Sequence, residues 1–295
     1  MRRLLGLALA VAGLATTPAA AKPLDVVASM SVIGDIVAEV GGPDVTVMTL
    51  VPPQGDPHAF EPTPQDAKAL AKADLVVVNG LHLEGWVDRL VAASGYKKTV
   101  AVASEGISPR EMVEDGHTET DPHAWNDAAN GARYARTIAA ALAKADPAHA
   151  KAYAARGEAY ARKLMELDAW AKAEFGAIPE ARRKVITSHE AFGYLAAAYG
   201  VHLLAPMGLS TEDEAAAADV AALIDQIKAE GITAVFLENS NDPRLVKQIA
   251  EATGAKLGGT LYPESLTDAS GPASTYLKMF RYNVSTLVAG MKTAR

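Results

Sequence analysis

The chain has 295 residues, of which 49% are hydrophobic, so it is long enough for one large or two medium-sized domains with buried cores. Its formal net charge of −7 argues against nucleic acid and anionic lipid as partners. The absence of cysteine excludes disulfides and thiolate metal ligands.

The N-terminal residues have the pattern of a secretory signal peptide. Arg2 and Arg3 precede an apolar run, 4–14, and the three alanines at 19–21 offer a small-residue cleavage site. The apolar run is too short to anchor the chain by spanning a bilayer. We therefore expect residues 1–21 to be a cleaved signal peptide and the mature protein to be periplasmic. Since no cysteine can carry a lipid, we expect it not to be lipid-anchored.

The first half of the mature chain alternates short apolar runs with helical patterns. The predicted strands are 24–29, 45–51, 74–79 and 99–103, and the predicted helices are 31–40, one opened by Thr63-Pro64, 84–93 and 128–143. This order predicts a doubly wound parallel sheet with right-handed crossovers. The polar stretch 112–120, which contains His117, interrupts the alternation and is predicted to be an exposed loop.

A long helical pattern, 147–175, follows the first half. Asp146-Pro147 begins it with a capping residue and a first-turn proline. At 1.5 Å per residue this helix is about 40 Å long, which suits a strut between two lobes. An ordinary covering helix is the alternative interpretation.

The second half repeats the rhythm of the first. The predicted strands are 184–188, 201–205, 233–237 and 256–261, and the predicted helices are 192–199, 212–230, 244–253 and 276–291. Two halves of this kind predict an α/β protein with two lobes and mainly parallel sheets.

Two copies of one short pattern carry histidines. The segments are Asp56-Pro57-His58-Ala59-Phe60 and Asp121-Pro122-His123-Ala124-Trp125. Proline restricts its own φ and the conformation of the preceding residue, so each histidine leaves a stiff turn. A third histidine, His189, directly follows a predicted strand, and Glu264 lies beyond another. Ligands of such sheets lie outside the C-terminal ends of the strands, so these four side chains suggest one metal site in a cleft between the lobes.

With these motifs, the mature chain resembles the cluster A-I (also called cluster A-9) substrate-binding proteins of ABC transporters for zinc or manganese, the ZnuA/TroA-like family. The resemblance covers essentially the whole mature chain. The segments that carry it are 52–64 (PPQGDPHAFEPTP), 79–86 (NGLHLEGW), 121–125 (DPHAW), 188–192 with 199–201, and 271–273 with Tyr276 and Asn283.

The resemblance implies two (β/α)4 lobes joined by one rigid helix, with the metal between them. The N-terminal lobe would be 22–146, the linking helix 147–175 and the C-terminal lobe 176–295. The implied partners are a divalent metal ion and a membrane permease of the ABC type. We expect a monomer, and whether a metallochaperone loads the ion is left open.

Matched to the family's motifs, His58 and His123 are the ligands of the N-terminal lobe, and His189 falls where members carry His or Glu. Glu264 falls where many members carry Asp, so the chain departs from the family there. Binding through one carboxylate oxygen, closure by water, or replacement by Asp268 further along the loop are the alternatives.

Three imidazoles and one carboxylate favour zinc, whereas oxygen-rich sites favour manganese. Members with Glu at the position of His189 lean to manganese, so the resemblance implies Zn²⁺, with Mn²⁺ or Fe²⁺ as the alternative. The long His- and Asp-rich loop of zinc-type members is reduced here to 114–117. His117 is interpreted as a solvated loop residue, with a role in capturing metal as the alternative. The other histidines are interpreted as surface or structural residues: His82, His149 and His202.

A secreted zinc-dependent hydrolase is the alternative from another class, because three histidines and a water can form a catalytic zinc site. However, Gly193 occupies the position of the second histidine in an H-E-x-x-H helix that would begin at His189. We interpret Glu190 instead as a residue that orients a ligand. A surface adhesin is a third interpretation. We expect a transport component and not an enzyme.

Overall fold

The computed structural model describes residues 22–114, 117–212, 216–232 and 234–293. The predicted signal peptide, 1–21, lies outside the described residues. In the first half the elements are β1 (Leu24–Met30), α1 (Ser31–Gly41), β2 (Val45–Val51), α2 (Pro64–Lys72), β3 (Leu75–Val78), α3 (Val87–Ser94), β4 (Val100–Val102), β5 (Arg110–Glu114), β6 (His117–Asp121) and α4 (Ala128–Ala145).

The second half begins with the long helix and contains one further parallel sheet. Its elements are α5 (Ala150–Gly176), β7 (Lys184–Ile186), α6 (Gly193–Tyr199), β8 (His202–Leu204), α7 (Ala217–Glu230), β9 (Ala234–Glu238), α8 (Arg244–Thr253), β10 (Lys256–Leu261) and α9 (Tyr276–Thr293). No helix among the described residues is long and apolar enough to cross a membrane.

The two sheets have the same topology. Their strand orders are β2-β1-β3-β4 and β10-β9-β7-β8, and all neighbouring strands pair in parallel. If the strands are numbered within each half, the first sheet has the order second, first, third, fourth. The second sheet has the same order when it is read from its β8 edge. The predicted α/β architecture with two lobes is confirmed, and the segments that follow β2, β7 and β10 of the two sheets, with the segment that follows the hairpin strand β6, supply the site described below.

Local sequence signals explain where several helices begin. Thr63 caps α2, its side chain accepting a bond from the Asp66 N–H while the Asp66 carboxylate accepts from the Thr63 N–H, and Pro64 occupies the first helical position. Asp127 caps α4 by accepting from the N–H of Ala129.

The long helix α5 is preceded by a 3₁₀ turn, Pro147–His149, so its α-helical part begins later than predicted. It packs against α1 and α4 of the first half and against α6 and α9 of the second half. Its 27 residues correspond to about 40 Å, and a single hydrophobic core runs along it through both halves. A smaller core lies between β9, α7 and α8. The lobes are therefore joined by shared packing as well as by the chain; their exact division remains a prediction.

The expectation of a loop at 112–120 was wrong. Arg110–Glu114 and His117–Asp121 form an antiparallel hairpin in which Glu114 pairs with His117. The residues between the strands, Asp115-Gly116, lie outside the described part. An Asp-Gly pair between two β-compatible segments is a hairpin signal that outweighs their polar composition.

Candidate metal centre

The two Asp-Pro-His segments form matching turns. In the first, Asp56 Oδ1 accepts a hydrogen bond of 2.8 Å from the backbone N–H of His58. In the second, Asp121 Oδ1 accepts a bond of 2.9 Å from the backbone N–H of His123. An aspartate that binds the N–H two residues ahead closes an Asx-turn, so the acid and the proline fix each turn together.

Side-chain donors hold the proline carbonyl of each turn. The indole N–H of Trp86 donates to the Pro57 carbonyl at 2.9 Å, and the Asn79 amide donates to the Pro122 carbonyl at 3.0 Å. Both donors belong to the short connection between β3 and α3. This one connection therefore sets the relative position of His58 and His123.

The two ligand candidates from the second half are held in related ways. His189 follows β7, and the carbonyl of Ala191 accepts a 2.9 Å bond from the Asn126 amide. Glu264 follows β10, and the carbonyl of Pro263 accepts from the Trp125 indole at 2.7 Å and from Asn126 at 3.0 Å. Side chains of the first half thus donate hydrogen bonds to the second-half backbone near both His189 and Glu264.

The four side chains converge on one point. His58 Nε2 lies 3.1 Å from His123 Nε2, and Glu264 Oε2 lies 3.2 Å, 3.8 Å and 3.7 Å from the Nε2 atoms of His58, His123 and His189. All four potential ligand atoms lie within 4.8 Å of one another. Ligand atoms about 2.0 Å from a tetrahedral metal would be about 3.3 Å apart, which is close to these separations.

Burial removes this cluster almost completely from solvent. Three of its members are fully buried and His58 is 9% exposed. Within the described residues, His189 Nε2 and both carboxylate oxygens of Glu264 have no hydrogen-bond partner. Buried polar atoms normally have partners, so unsatisfied atoms on two members of one buried cluster indicate a site for a bound cation.

Carboxylates orient two of the imidazoles from behind. Asp121 Oδ1 contacts His123 Nδ1 at 3.0 Å, and Glu238 Oε2 contacts His189 Nδ1 at 2.5 Å. Each contact leaves the Nε2 atom free to face the cluster. Glu238, at the end of β9, was not identified from the sequence, where Glu190 had been assigned this type of role.

Burial and neighbouring charges shift the pKa values of the cluster's side chains in different directions. Burial lowers the pKa of His123, despite Asp121. Burial also acts to lower the pKa of His189, but Glu238 and Glu264 outweigh it and raise that pKa well above its usual range. For Glu264, burial acts to raise the pKa, and the His189 and His58 imidazoles outweigh it, so the carboxyl titrates well below its usual range. The ionised form of Glu264 and the protonated form of His189 therefore favour each other.

A solvent-open cleft of about 1250 Å³ leads to His58, and His82 and His117 line its walls. Both of these histidines are exposed, and His82 has a positive φ of 66°. The alternative ligand Asp268 is exposed and binds Ser270 in its own turn. The two remaining histidines form ion-pair contacts elsewhere: His149 with Asp146, and His202 with Glu230.

A family model described as "Zinc-uptake complex component A periplasmic", ZnuA, matches residues 26–290. The chain belongs to the ZnuA family. Members of this family are metal-binding substrate-binding proteins of ABC transporters. The predicted family membership is therefore confirmed, while the metal remains unassigned at this level.

Relatives and solved structures agree with the ZnuA assignment. The manganese-binding lipoprotein MntA of Bacillus subtilis is 33% identical over 275 residues, covering 91% of this chain and 90% of MntA. The iron-binding protein YfeA of Yersinia pestis is 33% identical, covering 92% and 87%. The periplasmic zinc-binding protein TroA of Treponema pallidum has a TM-score of 0.86 at 31% identity, covering 93% of this chain and 100% of TroA. A Mn-bound periplasmic metal-binding protein of Candidatus Liberibacter asiaticus has a TM-score of 0.83 at 31% identity, covering 91% and 99%.

The expectation of a protein without a lipid anchor is contradicted by these relatives. Several similar ZnuA-family proteins are named lipoproteins, among them MntA of Bacillus subtilis and ScaA of Streptococcus gordonii. Their names point to lipid-anchored extracytoplasmic proteins. The expectation rested on the absence of cysteine alone, and we withdraw it.

Proposed function

We propose that this ZnuA-family protein captures one divalent metal ion, with zinc preferred, and delivers it to an ABC permease for import. The ligands are His58 Nε2, His123 Nε2, His189 Nε2 and a carboxylate oxygen of Glu264. The observation that carries the proposal is the buried convergence of these four atoms, of which His189 Nε2 and the Glu264 oxygen have no hydrogen-bond partner among the described residues.

Zinc is preferred because the donor set is rich in nitrogen. Three imidazoles and one carboxylate suit a tetrahedral Zn²⁺ site, and the short separations between the ligand atoms suit tetrahedral packing. Manganese normally takes more oxygen ligands. The second oxygen of Glu264 also has no hydrogen-bond partner among the described residues. If both oxygens bound the ion, the site would offer five ligand atoms and would suit a larger ion, which is the alternative to zinc.

Manganese is the second candidate, and iron the third, because relatives of similar identity are named for them. MntA is named a manganese-binding lipoprotein and YfeA an iron-binding protein, whereas TroA is named a zinc-binding protein. The names of these three relatives therefore refer to three different metals, and among these the donor set of this chain favours zinc.

Competitive titration decides between these metals. The metal-stripped protein, residues 22–295, is titrated with Zn²⁺ and Mn²⁺ against a chelating indicator. We expect one equivalent of zinc to bind far more tightly than manganese. Comparable or tighter manganese binding would change the substrate, and the absence of tight binding for both would overturn the site.

A transport role, without catalysis, agrees with the enclosure of the site. The four ligand atoms face one another, and Glu238 occupies Nδ1 of His189 instead of acting as a free base. Hydrolase activity of the zinc-loaded protein toward ester or peptide substrates, abolished by His123→Ala, would overturn this part of the proposal.

Release to the permease is proposed to proceed by movement of the loop around Glu264, with α5 remaining rigid. The shared core along α5 opposes wide hinge opening between an N-terminal lobe of 22–146 and a C-terminal lobe of 176–295. Hydrogen exchange with and without zinc should change at 262–267. Unchanged exchange in this loop together with unchanged small-angle scattering would contradict the proposal.

A further inference from the structure

The cleft above the ligand cluster has a hydrogen bond across it. The hydroxyl of Thr211, from the second half, donates to Asp56 Oδ2, in the first half, at 2.7 Å. Both residues are half-buried, and Thr211 lines the cleft that leads to His58. This bond lies at the cleft, whereas the bonds from Trp125 and Asn126 to Pro263 are buried.

Asp56 connects this bond to the ligand His58. Its Oδ1 atom closes the turn by accepting from the His58 N–H at 2.8 Å, while its Oδ2 atom accepts from Thr211. The imidazole of His58 has no carboxylate at Nδ1 among the described residues, unlike His123 and His189. Its orientation therefore depends on the turn, and the turn depends on Asp56.

The segment that carries Thr211 is also attached to the other side of the site. His189 forms a parallel bridge with Met207, and the Glu190 N–H donates to the Gly208 carbonyl at 3.0 Å. The segment 206–212, which we name the cleft segment, thus joins the backbone of one ligand, His189, to the turn that holds another, His58.

We propose that Thr211 is a positioning residue for the metal site. This inference rests on the proposed function. Its hydroxyl holds the cleft segment against Asp56, fixes the turn of His58, and slows the escape of the bound ion. His58 is the most exposed of the four ligands and borders the open cleft, so it is the ligand beside the exit. Opening of the Thr211–Asp56 bond would come before loss of the ion.

The test compares rates of metal release. Zinc-loaded wild-type protein and the Thr211→Val and Thr211→Ser variants are each mixed with excess EDTA in a stopped-flow instrument. Valine keeps the branched shape without the hydroxyl, and serine keeps the hydroxyl. Loss of one hydrogen bond to a carboxylate should raise the dissociation rate roughly three- to tenfold in Thr211→Val, and serine should restore most of the wild-type rate.

A matched control lies on the same cleft. Thr120 also lines it and makes no side-chain hydrogen bond to the described residues, so Thr120→Val should release zinc at the wild-type rate. Melting temperatures of the metal-free variants report any general loss of stability. In a double-mutant cycle, Thr211→Val should add nothing to Asp56→Ala, because the hydroxyl acts through that carboxylate.

The outcomes separate the two proposals. A wild-type rate in Thr211→Val, an equally fast rate in Thr211→Ser, or additive effects with Asp56→Ala would overturn the role of Thr211 while the metal site stands. Failure of the wild-type protein to bind zinc or manganese would overturn the proposed function, and this inference with it.

Discussion

At the first Asp-Pro-His turn, Asp56 holds the backbone of His58 with one oxygen and reaches across the cleft to Thr211 with the other. At the second turn, a single oxygen of Asp121, Oδ1, contacts both the backbone N–H and the ring Nδ1 of His123. The same residue pattern thus gives one turn whose aspartate contacts the imidazole directly and one whose aspartate binds a side chain of the opposite half instead. The comparison shows that local sequence builds the turn, whereas its surroundings decide what orients the imidazole.

The largest expected effect comes from removing the imidazoles themselves. His58→Ala and His123→Ala should each weaken zinc binding by roughly a hundredfold or more, which exceeds the usual effect of losing an outer partner. His117→Ala, which removes an exposed histidine of the same cleft, is the matched control and should change the affinity little. Equal losses in all three variants, measured by chelator competition, would refute the ligand assignment.

The next effect separates the two aspartates. Asp121→Asn weakens the acceptor behind the ring of His123 and should reduce zinc affinity about tenfold or more. Asp56→Asn has no ring contact to weaken, so its equilibrium effect should be smaller and appear mainly in the dissociation rate. The measurement is equilibrium and stopped-flow titration of both variants, and a larger equilibrium loss in Asp56→Asn would reverse the proposed contrast.

The third imidazole supplies a pH dependence. In the metal-free protein the raised pKa of His189 keeps its ring protonated near neutral pH, and zinc requires the neutral ring. Affinity should therefore fall about tenfold for each unit that the pH drops below this pKa, with about one proton released per zinc at pH 7. Calorimetry in two buffers of different ionisation enthalpy measures the proton count, and no release at pH 7 would contradict a protonated His189.

The smallest expected effect concerns the donors to the proline carbonyls. Trp86→Phe keeps an aromatic ring but loses the bond to the Pro57 carbonyl, which should cost about 1 kcal/mol of unfolding free energy and a few-fold in zinc affinity. Trp170→Phe is the control, because the indole of Trp170 faces Arg281 away from the turns. Chemical denaturation measures stability, and identical affinities in the two variants would show that the Trp86 bond does not support the turn.

Most of the fold could be predicted from the sequence because its signals are local. The helix Arg244–Thr253 and the strand Lys256–Leu261 have their predicted bounds, with Gly254 ending the helix in a left-handed conformation. The hairpin at 110–121 was missed because its composition is polar, and its register depends on pairing between two segments.

The candidate site could be predicted only in part. The repeated turns and the family resemblance gave the four residues that the structure brings together, and their role as ligands stays a prediction. Glu238, Thr211 and the donors on Asn126 could not be predicted, because each acts on a residue distant in the chain. Such partners are specified by tertiary packing and leave no periodic or short-range signal.

The ring of Trp125 lies 5.3 Å from that of His123, and its N–H donates to the carbonyl beside Glu264. This indole is therefore a built-in optical reporter placed between two of the proposed ligands. A closed-shell ion such as Zn²⁺ should shift its emission with little loss of intensity, whereas a paramagnetic ion should quench it. The chain's own fluorescence would then distinguish the cargo without a label, in the intact protein and during transfer.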